Sequence, residues 1–332
     1  MHALYSFFHS RVGTIVAAPA AVAAAVAFCL LANVAYPISD GALVHKWNPG
    51  AISAKMGAYA PVASIAAAVC IAALLGYLNK AFNLLRGLTM LQSTIFLCML
   101  TATPALLATF NAGIGVCLVI VLCCILMYGS YGRSGNQRQV FLAFLLLSAC
   151  TAIDYAFAVY VPVMWLATLQ MRIFSLRTVL ASLMGIATPW IIFFGFGILS
   201  PSDIALPDLL NFSIPASSDL AGITLLCTAL FTALVAVVSW LQNVMKIYSY
   251  NVQSRAQLGL ISVIMPVTIL AMCLNLPHAG AFLPTLSMCA ALQVAHMFAV
   301  IYNQPRSAVA ILILTLVYFA IYAWRIIICT LL

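Results

Sequence analysis

The stretch VFLAFLLLSACTAIDYAFAVYVPVMWLATLQ, residues 140–170, is apolar except near its centre, where Ile153-Asp154-Tyr155 interrupts it. A membrane-spanning helix needs about 20 apolar residues to cross a hydrocarbon core of about 30 Å. These 31 residues are therefore either one strongly tilted span or a hairpin of two short spans that turns at Asp154. The choice reverses the orientation of everything that follows in the chain.

The distribution of charge favours the hairpin, because basic residues collect on the cytoplasmic side of membrane proteins. With a hairpin, ten of the thirteen Lys and Arg residues share one side, and all five acidic residues lie on the other. With a single helix, four basic residues of 171–177 and 246–256 would move outside and the acidic loop 200–221 would move inside. The hairpin is therefore our prediction, with the N-terminus in the cytoplasm.

The composition indicates that the solvent of this chain is lipid. Of its 332 residues, 66% are apolar and 5% are charged, whereas a soluble domain carries about 25% charged residues. We predict an all-α fold: a polytopic transmembrane helical bundle of about eleven spans, forming a single integral membrane domain without a soluble domain. The predicted spans are 13–36, 60–79, 88–108, 112–129, 140–152, 156–170, 178–199, 222–245, 257–276, 281–302 and 307–331.

Several classes of function are excluded by the same sequence. The net charge of +8 comes from basic residues placed singly or in pairs at helix ends, which is not the stripe typical of nucleic-acid binding. Short cytoplasmic loops without a G-x-x-x-x-G-K-[ST] motif leave no room for a nucleotide-binding domain. The eleven cysteines all fall in apolar runs without metal-ligand spacing, so we interpret them as packing residues. No cofactor is predicted.

Three segments combine apolar runs with characteristic polar positions: VFLAFLLLSACTAIDYAFAVYVPVMWL (140–166), SLRTVLASLMGIATPWIIFFG (175–195) and FLPTLSMCAALQVAHMFAVIYNQPRSAVAILIL (282–314). Through them the chain from about residue 80 onward resembles an uncharacterised family of polytopic inner-membrane proteins of Bacteroidota. The resemblance implies a multi-pass protein in the inner membrane of a Gram-negative envelope. It carries no catalytic residues over to this chain.

The first outer loop, YPISDGALVHKWNPG (36–50), holds candidate catalytic and binding residues. Asp40 beside basic residues resembles the layout of GT-C glycosyltransferases, which use such a carboxylate as general base on an acceptor hydroxyl. Lys46, Trp47 and Lys55 would then bind a polyprenyl-phosphate substrate, since ammonium groups pair with phosphate oxygens. GT-C loops commonly carry paired acids and this loop has one. The competing interpretation is that Asp40 only forms a turn with Gly41.

Asp154 is the second candidate catalytic residue. Each arm of the predicted hairpin is too short to cross the core, so its apex should lie below the outer surface. Irregular backbone at that depth requires surrounding protein or a water-filled cavity, and a carboxylate there is by default a functional group. We expect the charge that compensates this carboxylate to come from Lys46 or Lys55. The alternative is an Asp that only accepts hydrogen bonds from the amides of the turn.

Gln293 and His296 share a face of the predicted span 281–302 at i, i+3 spacing. They are candidates for binding a substrate or relaying a proton. Interhelical hydrogen bonding is the commoner role of such residues in lipid.

Three functional hypotheses follow, and whether the protein is an enzyme stays open. The first is an inner-membrane protein that handles a lipid-linked or envelope substrate at its periplasmic face, with GT-C-like glycosyl transfer as the chemistry. The second is a secondary transporter that uses Asp154 in the broken hairpin. The third is a non-catalytic scaffold subunit. The predicted partners are membrane lipid and a polyprenyl-linked substrate, with no nucleic acid.

Overall fold

The computed structural model describes residues 11–31, 42–44, 47, 49–57, 59–85, 89–109, 111–133, 135–204, 210–213, 220–247, 250–301 and 307–331. Within these ranges the chain is helical, and the only extended pairings are two isolated β-bridges. Six helices of the described chain are long and apolar enough to cross a membrane. The prediction of an all-α chain with several membrane-compatible helices is confirmed.

The α-helices are numbered here in chain order. They are α1 (Arg11–Leu31), α2 (Pro49–Met56), α3 (Tyr59–Phe82), α4 (Leu91–Thr101), α5 (Pro104–Ala108), α6 (Ala112–Gly129), α7 (Gln137–Thr151), α8 (Val161–Gln170), α9 (Leu176–Gly195), α10 (Leu220–Met245), α11 (Val252–Leu274), α12 (Ala279–His296) and α13 (Ser307–Leu331). A 3-10 segment (Tyr155–Tyr160) precedes α8, and a π-helical turn (Met297–Ile301) follows α12.

Each predicted span contains one of these helices, although two details differ from the prediction. The span predicted over 88–108 is divided into α4 and α5, because Pro104 has no N–H with which to continue the helix. The first outer loop contains the short helix α2, which was not predicted. The number of membrane crossings stays a prediction, since six helices meet the length and composition of a span.

The segment 137–170 forms a broken hairpin. Helix α7 ends at Thr151, Asp154 is extended, and the 3-10 segment then leads into α8. Just before α7 and just after α8, the Gly132 N–H donates a 3.1 Å hydrogen bond to the Met171 carbonyl. The chain therefore returns to the level at which it entered, and Asp154 lies at the apex.

The hairpin defines two ends of the bundle, the apex end near Asp154 and the base end near the Gly132–Met171 contact. In the described chain, most basic side chains lie at the base end, and few charged residues lie at the apex end. Asp203 and Lys55 lie in the connections at the apex end. The basic residues in or beside the base-end connections are Lys80, Arg133, Arg138, Arg172, Arg177, Lys246 and Arg255.

Helix α12 is the central helix, because every residue from Ala281 to His296 is buried. Helix α6 approaches its first turn closely at Gly113. A Cβ at that position would lie 2.6 Å from the Gly280 carbonyl oxygen and 2.9 Å from that of Ala281. Only glycine fits this crossing, which is typical of helices that pack through small residues in lipid.

The substitution Gly113→Ala should therefore destabilise the protein, by about 1–3 kcal/mol, since overpacking forces backbone to shift. The matched control is Gly115→Ala, two residues further along α6, where the added Cβ meets only the Phe157 ring at 3.8 Å. That control should be neutral or slightly stabilising, because alanine has the higher helix propensity. The measurement is the thermal unfolding midpoint of both purified variants in one detergent. Equal midpoints would show that the α6–α12 contact is not tight.

Candidate functional site

The carboxylate of Asp154 is enclosed by protein, with 0% of the residue exposed. It caps the 3-10 segment, because Oδ1 accepts a 2.8 Å hydrogen bond from the Ala156 N–H. The same oxygen lies 3.0 Å from Nε2 of His278. The other oxygen, Oδ2, has no hydrogen-bond partner among the described residues. Oδ1 thus stabilises the turn and contacts His278, whereas Oδ2 remains able to accept a hydrogen bond.

His278 enters the site from the turn between α11 and α12, and only 3% of it is exposed. Its ring stacks on Tyr155 at a centroid distance of 4.8 Å and meets the edge of Phe282 at 5.9 Å. The Tyr155 hydroxyl accepts a 3.0 Å hydrogen bond from Nδ2 of Asn275. The imidazole is therefore packed against two aromatic rings, with Nε2 directed at the carboxylate.

A second segment holds this turn in place. Asn211 pairs with it through two backbone hydrogen bonds, from its N–H to the Leu274 carbonyl and from the Leu276 N–H to its own carbonyl, each 3.0 Å long. The pairing forms one of the isolated bridges of the described chain, Asn211 with Asn275. The position of His278 is thus fixed from outside the helices as well as by its neighbours in the core.

An apolar cluster, which we call the apex cap, lies over the hairpin turn. Its buried members are Val44, Ala152 and Leu199, and Trp47, Trp190 and Phe193 pack against them. Trp47 meets Phe193 at 5.2 Å in an edge-to-face arrangement. A bridge between Val44 and Ile204 ties the two apex-end segments together. The cap separates the apex from the outside, which makes the Asp154–His278 pair an occluded site.

The environment limits what charge states the pair can adopt. Burying an isolated ion in a medium of low dielectric costs many kcal/mol, so buried charges are paired or neutralised. The contact between Oδ1 and Nε2 lets the carboxyl and the imidazole share a proton. Among the described residues, His278 contacts the carboxylate, and the Tyr155 hydroxyl lies within electrostatic range of it. Reversible binding of one proton is the chemistry that this arrangement supports.

Of the candidate residues predicted in and beside the first outer loop, Trp47 lies near Asp154 and Lys55 does not contact it. Trp47 lies in the apex cap, where its ring packs on the cluster that contains Ala152, two residues before Asp154 in the chain. Lys55 is exposed on α2, so the fully buried Asp154 takes its partner from His278 instead. Asp40 and Lys46 lie outside the described residues.

Gln293 and His296 lie near the base end and contact α10. The Asn243 side chain donates to both the carbonyl and Oε1 of Gln293, and its own Oδ1 lies 3.2 Å from Nδ1 of His296. The His296 ring also meets Tyr250 edge-on at 4.9 Å. The structure thus gives both residues interhelical hydrogen bonds at a place distant from Asp154, next to the π-helical turn that follows α12.

Sequence reasoning did not select His278, Tyr155 or Asn275 as members of the site. A usable indication was present for His278, which lies in the motif NLPHAG (275–280) between two predicted spans, on the same side as the hairpin apex. A histidine in a connection that must lie beside an intramembrane carboxylate is a natural partner for it. The pairing itself depends on which helices are neighbours, and one sequence does not contain that information.

Comparison of the chain with protein-family models, with curated proteins and with solved structures finds no match in any of the three. The resemblance to a Bacteroidota family stays a prediction. Fold and site together define a class: a multi-helix membrane protein with a buried acid–histidine pair at the apex of a broken helical hairpin.

Proposed function

We propose that the chain is a secondary transporter in which the Asp154–His278 pair binds and releases the coupling proton. The observation that carries the proposal is the 3.0 Å contact between a fully buried carboxylate and a fully buried imidazole at a break in a membrane helix. Ionisable residues at membrane depth mark ion and proton pathways in pumps and transporters. Broken helices are also where transporters bind their coupling ions.

The occluded state of the pair supports transport over catalysis at a surface. A general base must reach the proton that it abstracts directly or through one water, and the apex cap covers Asp154 from the outside. A transporter alternates between states open to either side, and an occluded intermediate belongs to that cycle. The cap and the hairpin are the elements that would have to move.

The charge distribution supports an orientation and a location for this transporter. Among the basic residues whose side chains the structure describes, seven lie at the base end and Lys55 lies at the apex end. By the positive-inside rule the base end faces the cytoplasm, and the apex end faces the periplasm. The proposed location is the inner membrane, as a multi-pass protein with its N-terminus in the cytoplasm.

A second candidate function is GT-C-like transfer on a lipid-linked substrate at the same outer face. It is favoured by the exposed ammonium of Lys55 on α2, on the end of the bundle that carries Asp154. A polyprenyl phosphate could pair with this group. The two functions differ in whether a proton must reach Asp154.

The test uses the proton as the probe. Purified protein in lipid vesicles is treated with a hydrophobic carbodiimide, which reacts with protonated carboxyl groups, and the labelled residue is located by mass spectrometry. We expect labelling of Asp154 that falls as the pH rises, because deprotonation removes the reactive form. Removing the imidazole in His278→Gln should change this pH profile, because the pair then loses one of its two proton-binding groups.

The matched control is Asp203→Asn, which changes an acid at the same end of the bundle and should leave the labelling profile of Asp154 unchanged. Labelling that is absent at every pH, or that does not vary with pH, would contradict the proposal, because a coupling site has to open and to exchange its proton. A retained profile combined with loss of function in Lys55→Gln would favour the enzyme instead.

A further inference from the structure

Buried polar groups lie at several levels along one face of α11, between the apex end and the base end of the bundle. From the apex, the first level of this row is the Asp154–His278 pair with Tyr155 and Asn275 beside it. Further down, the Tyr160 hydroxyl lies 3.0 Å from Oγ1 of Thr268. The row ends at Gln257, and from Asn275 to Gln257 the helix rises about 27 Å, close to the thickness of a hydrocarbon core.

At the base end, the Tyr128 hydroxyl donates a 2.7 Å hydrogen bond to the backbone carbonyl of Gln257. Tyr128 and Tyr160 belong to the largest fully buried side chains of the described core. The thiol of Cys289 lies within electrostatic range of both tyrosine hydroxyls. Cys289 is itself fully buried, and a thiol can serve as a weak hydrogen-bond donor.

The two ends of this row each carry a buried polar atom without a hydrogen-bond partner among the described residues. Gln257 is 0% exposed, and neither its Oε1 nor its Nε2 has a hydrogen-bond partner in the described chain. At the other end, Oδ2 of Asp154 also has no partner there. A buried polar group without a partner costs about 1–3 kcal/mol, so native proteins normally satisfy such groups with ordered water. Both ends therefore point to bound water.

We propose that these groups line a water-assisted proton path from Gln257 at the base end to Oδ2 of Asp154 at the apex. The inference rests on the proposed function, because it names the route by which the coupling site loads and unloads. It adds a second functional position, the Gln257 amide, as a water-binding group about 1.4 turns inside the start of α11 at Val252.

The chemistry of the path is a chain of proton transfers. A proton arriving at the base end breaks one O–H bond and forms the next at each water or hydroxyl along the row. The last transfer forms the O–H bond on the free oxygen of Asp154. One positive charge moves per event, and no oxidant, reductant or further reactant takes part. Bridging waters carry such transfers at little cost when polar groups hold them in place.

The experiment follows the arrival of the proton at Asp154 in time. Wild-type protein in lipid vesicles is exposed to a rapid acid jump, and the infrared carboxyl band that disappears in Asp154→Asn is recorded. We expect Gln257→Leu and Thr268→Val to slow the appearance of this band by about tenfold or more, since a barrier raised by about 1.4 kcal/mol has that effect. The final amplitude should not change, because the path sets the rate and the pair sets the equilibrium.

Two controls separate the path from general effects of substitution. Gln92→Leu makes the same change at a fully buried glutamine of α4, whose Nε2 donates to the Leu75 carbonyl away from the row, and it should leave the rate unchanged. Thr268→Ser keeps the hydroxyl beside Tyr160 and should restore the rate that Thr268→Val loses. Thr268→Val is nearly isosteric, which makes it the variant best suited to fold if Gln257→Leu does not.

The outcomes distinguish the two proposals. A carboxyl band that responds to pH at the wild-type rate in both Gln257→Leu and Thr268→Val would overturn the path and leave the proposed function intact, with the proton entering from the apex. A band of Asp154 that never responds to pH would overturn the proposed function and the path with it.

Discussion

Replacing Asp154 by asparagine should abolish function while the protein still inserts and folds. Asparagine can accept the hydrogen bond from the Ala156 N–H that caps the 3-10 segment, so the turn is preserved. It cannot bind the coupling proton, and groups that transfer protons contribute about 100-fold or more to turnover. The measurement is growth of a strain that lacks the gene, complemented with Asp154→Asn at matched expression. His278→Gln should give the same loss.

The control for this experiment is again Asp203→Asn, which should complement like the wild type. If Asp154 only accepts hydrogen bonds from the turn, Asp154→Asn will support near wild-type growth, and the functional role of the pair is wrong. Loss of complementation in Lys55→Gln alone would point to the lipid-linked substrate. Full complementation by every one of these variants would favour a scaffold.

The hairpin shows what could be predicted without coordinates. Two quantities were enough to locate it: the length of the apolar run 140–170 against the bilayer thickness, and the sign of the charges on either side. Both are local or additive properties of a sequence. The break at Asp154 and the return of the chain at Met171 lie where these properties place them.

The contact between Asp154 and His278, in contrast, could not be predicted from local properties of the sequence. His278 is 124 positions away, and it reaches the carboxylate because α12 packs against α6 through Gly113, where only a glycine fits. The apolar residues of a membrane helix do not reveal which other helix packs against it, because the surface that faces lipid is as apolar as the surface that faces protein. Lys55 was therefore an equally reasonable candidate on charge and side alone, although its ammonium is exposed in the folded chain.

The row below the pair was not predicted, for the same reason. Tyr160, Thr268 and Gln257 are unremarkable as single residues, because Thr and Gln in membrane helices most often bond to a neighbouring helix. Their alignment appears only when α11 is placed against the 3-10 segment, which brings the Tyr160 hydroxyl to 3.0 Å from Thr268. The unpartnered amide of Gln257 likewise becomes visible only once the surrounding side chains are in place.

Substitution of His278 by leucine should lower the free energy of unfolding by about 3 kcal/mol or more, the range found when one member of a buried ion pair is removed. Leucine fills part of the space between Tyr155 and Phe282 but cannot donate to the carboxylate. A buried carboxylate would then keep a single hydrogen bond, from the Ala156 N–H. The measurement is the unfolding midpoint of purified protein in mixed micelles of increasing denaturing detergent.

The double variant Asp154→Asn with His278→Leu decides whether this loss comes from the charge or from packing. If it comes from the charge, the double variant should recover most of the stability, because the neutral amide no longer needs a partner. The coupling energy of the cycle should then approach the upper part of the range for contacting residues, about 2–3 kcal/mol. If the imidazole matters only as a ring packed on Tyr155, the two losses will add and the coupling energy will be close to zero. In that case the pair would be a contact of the core, and the proton-binding role argued for it would be left without its energetic basis.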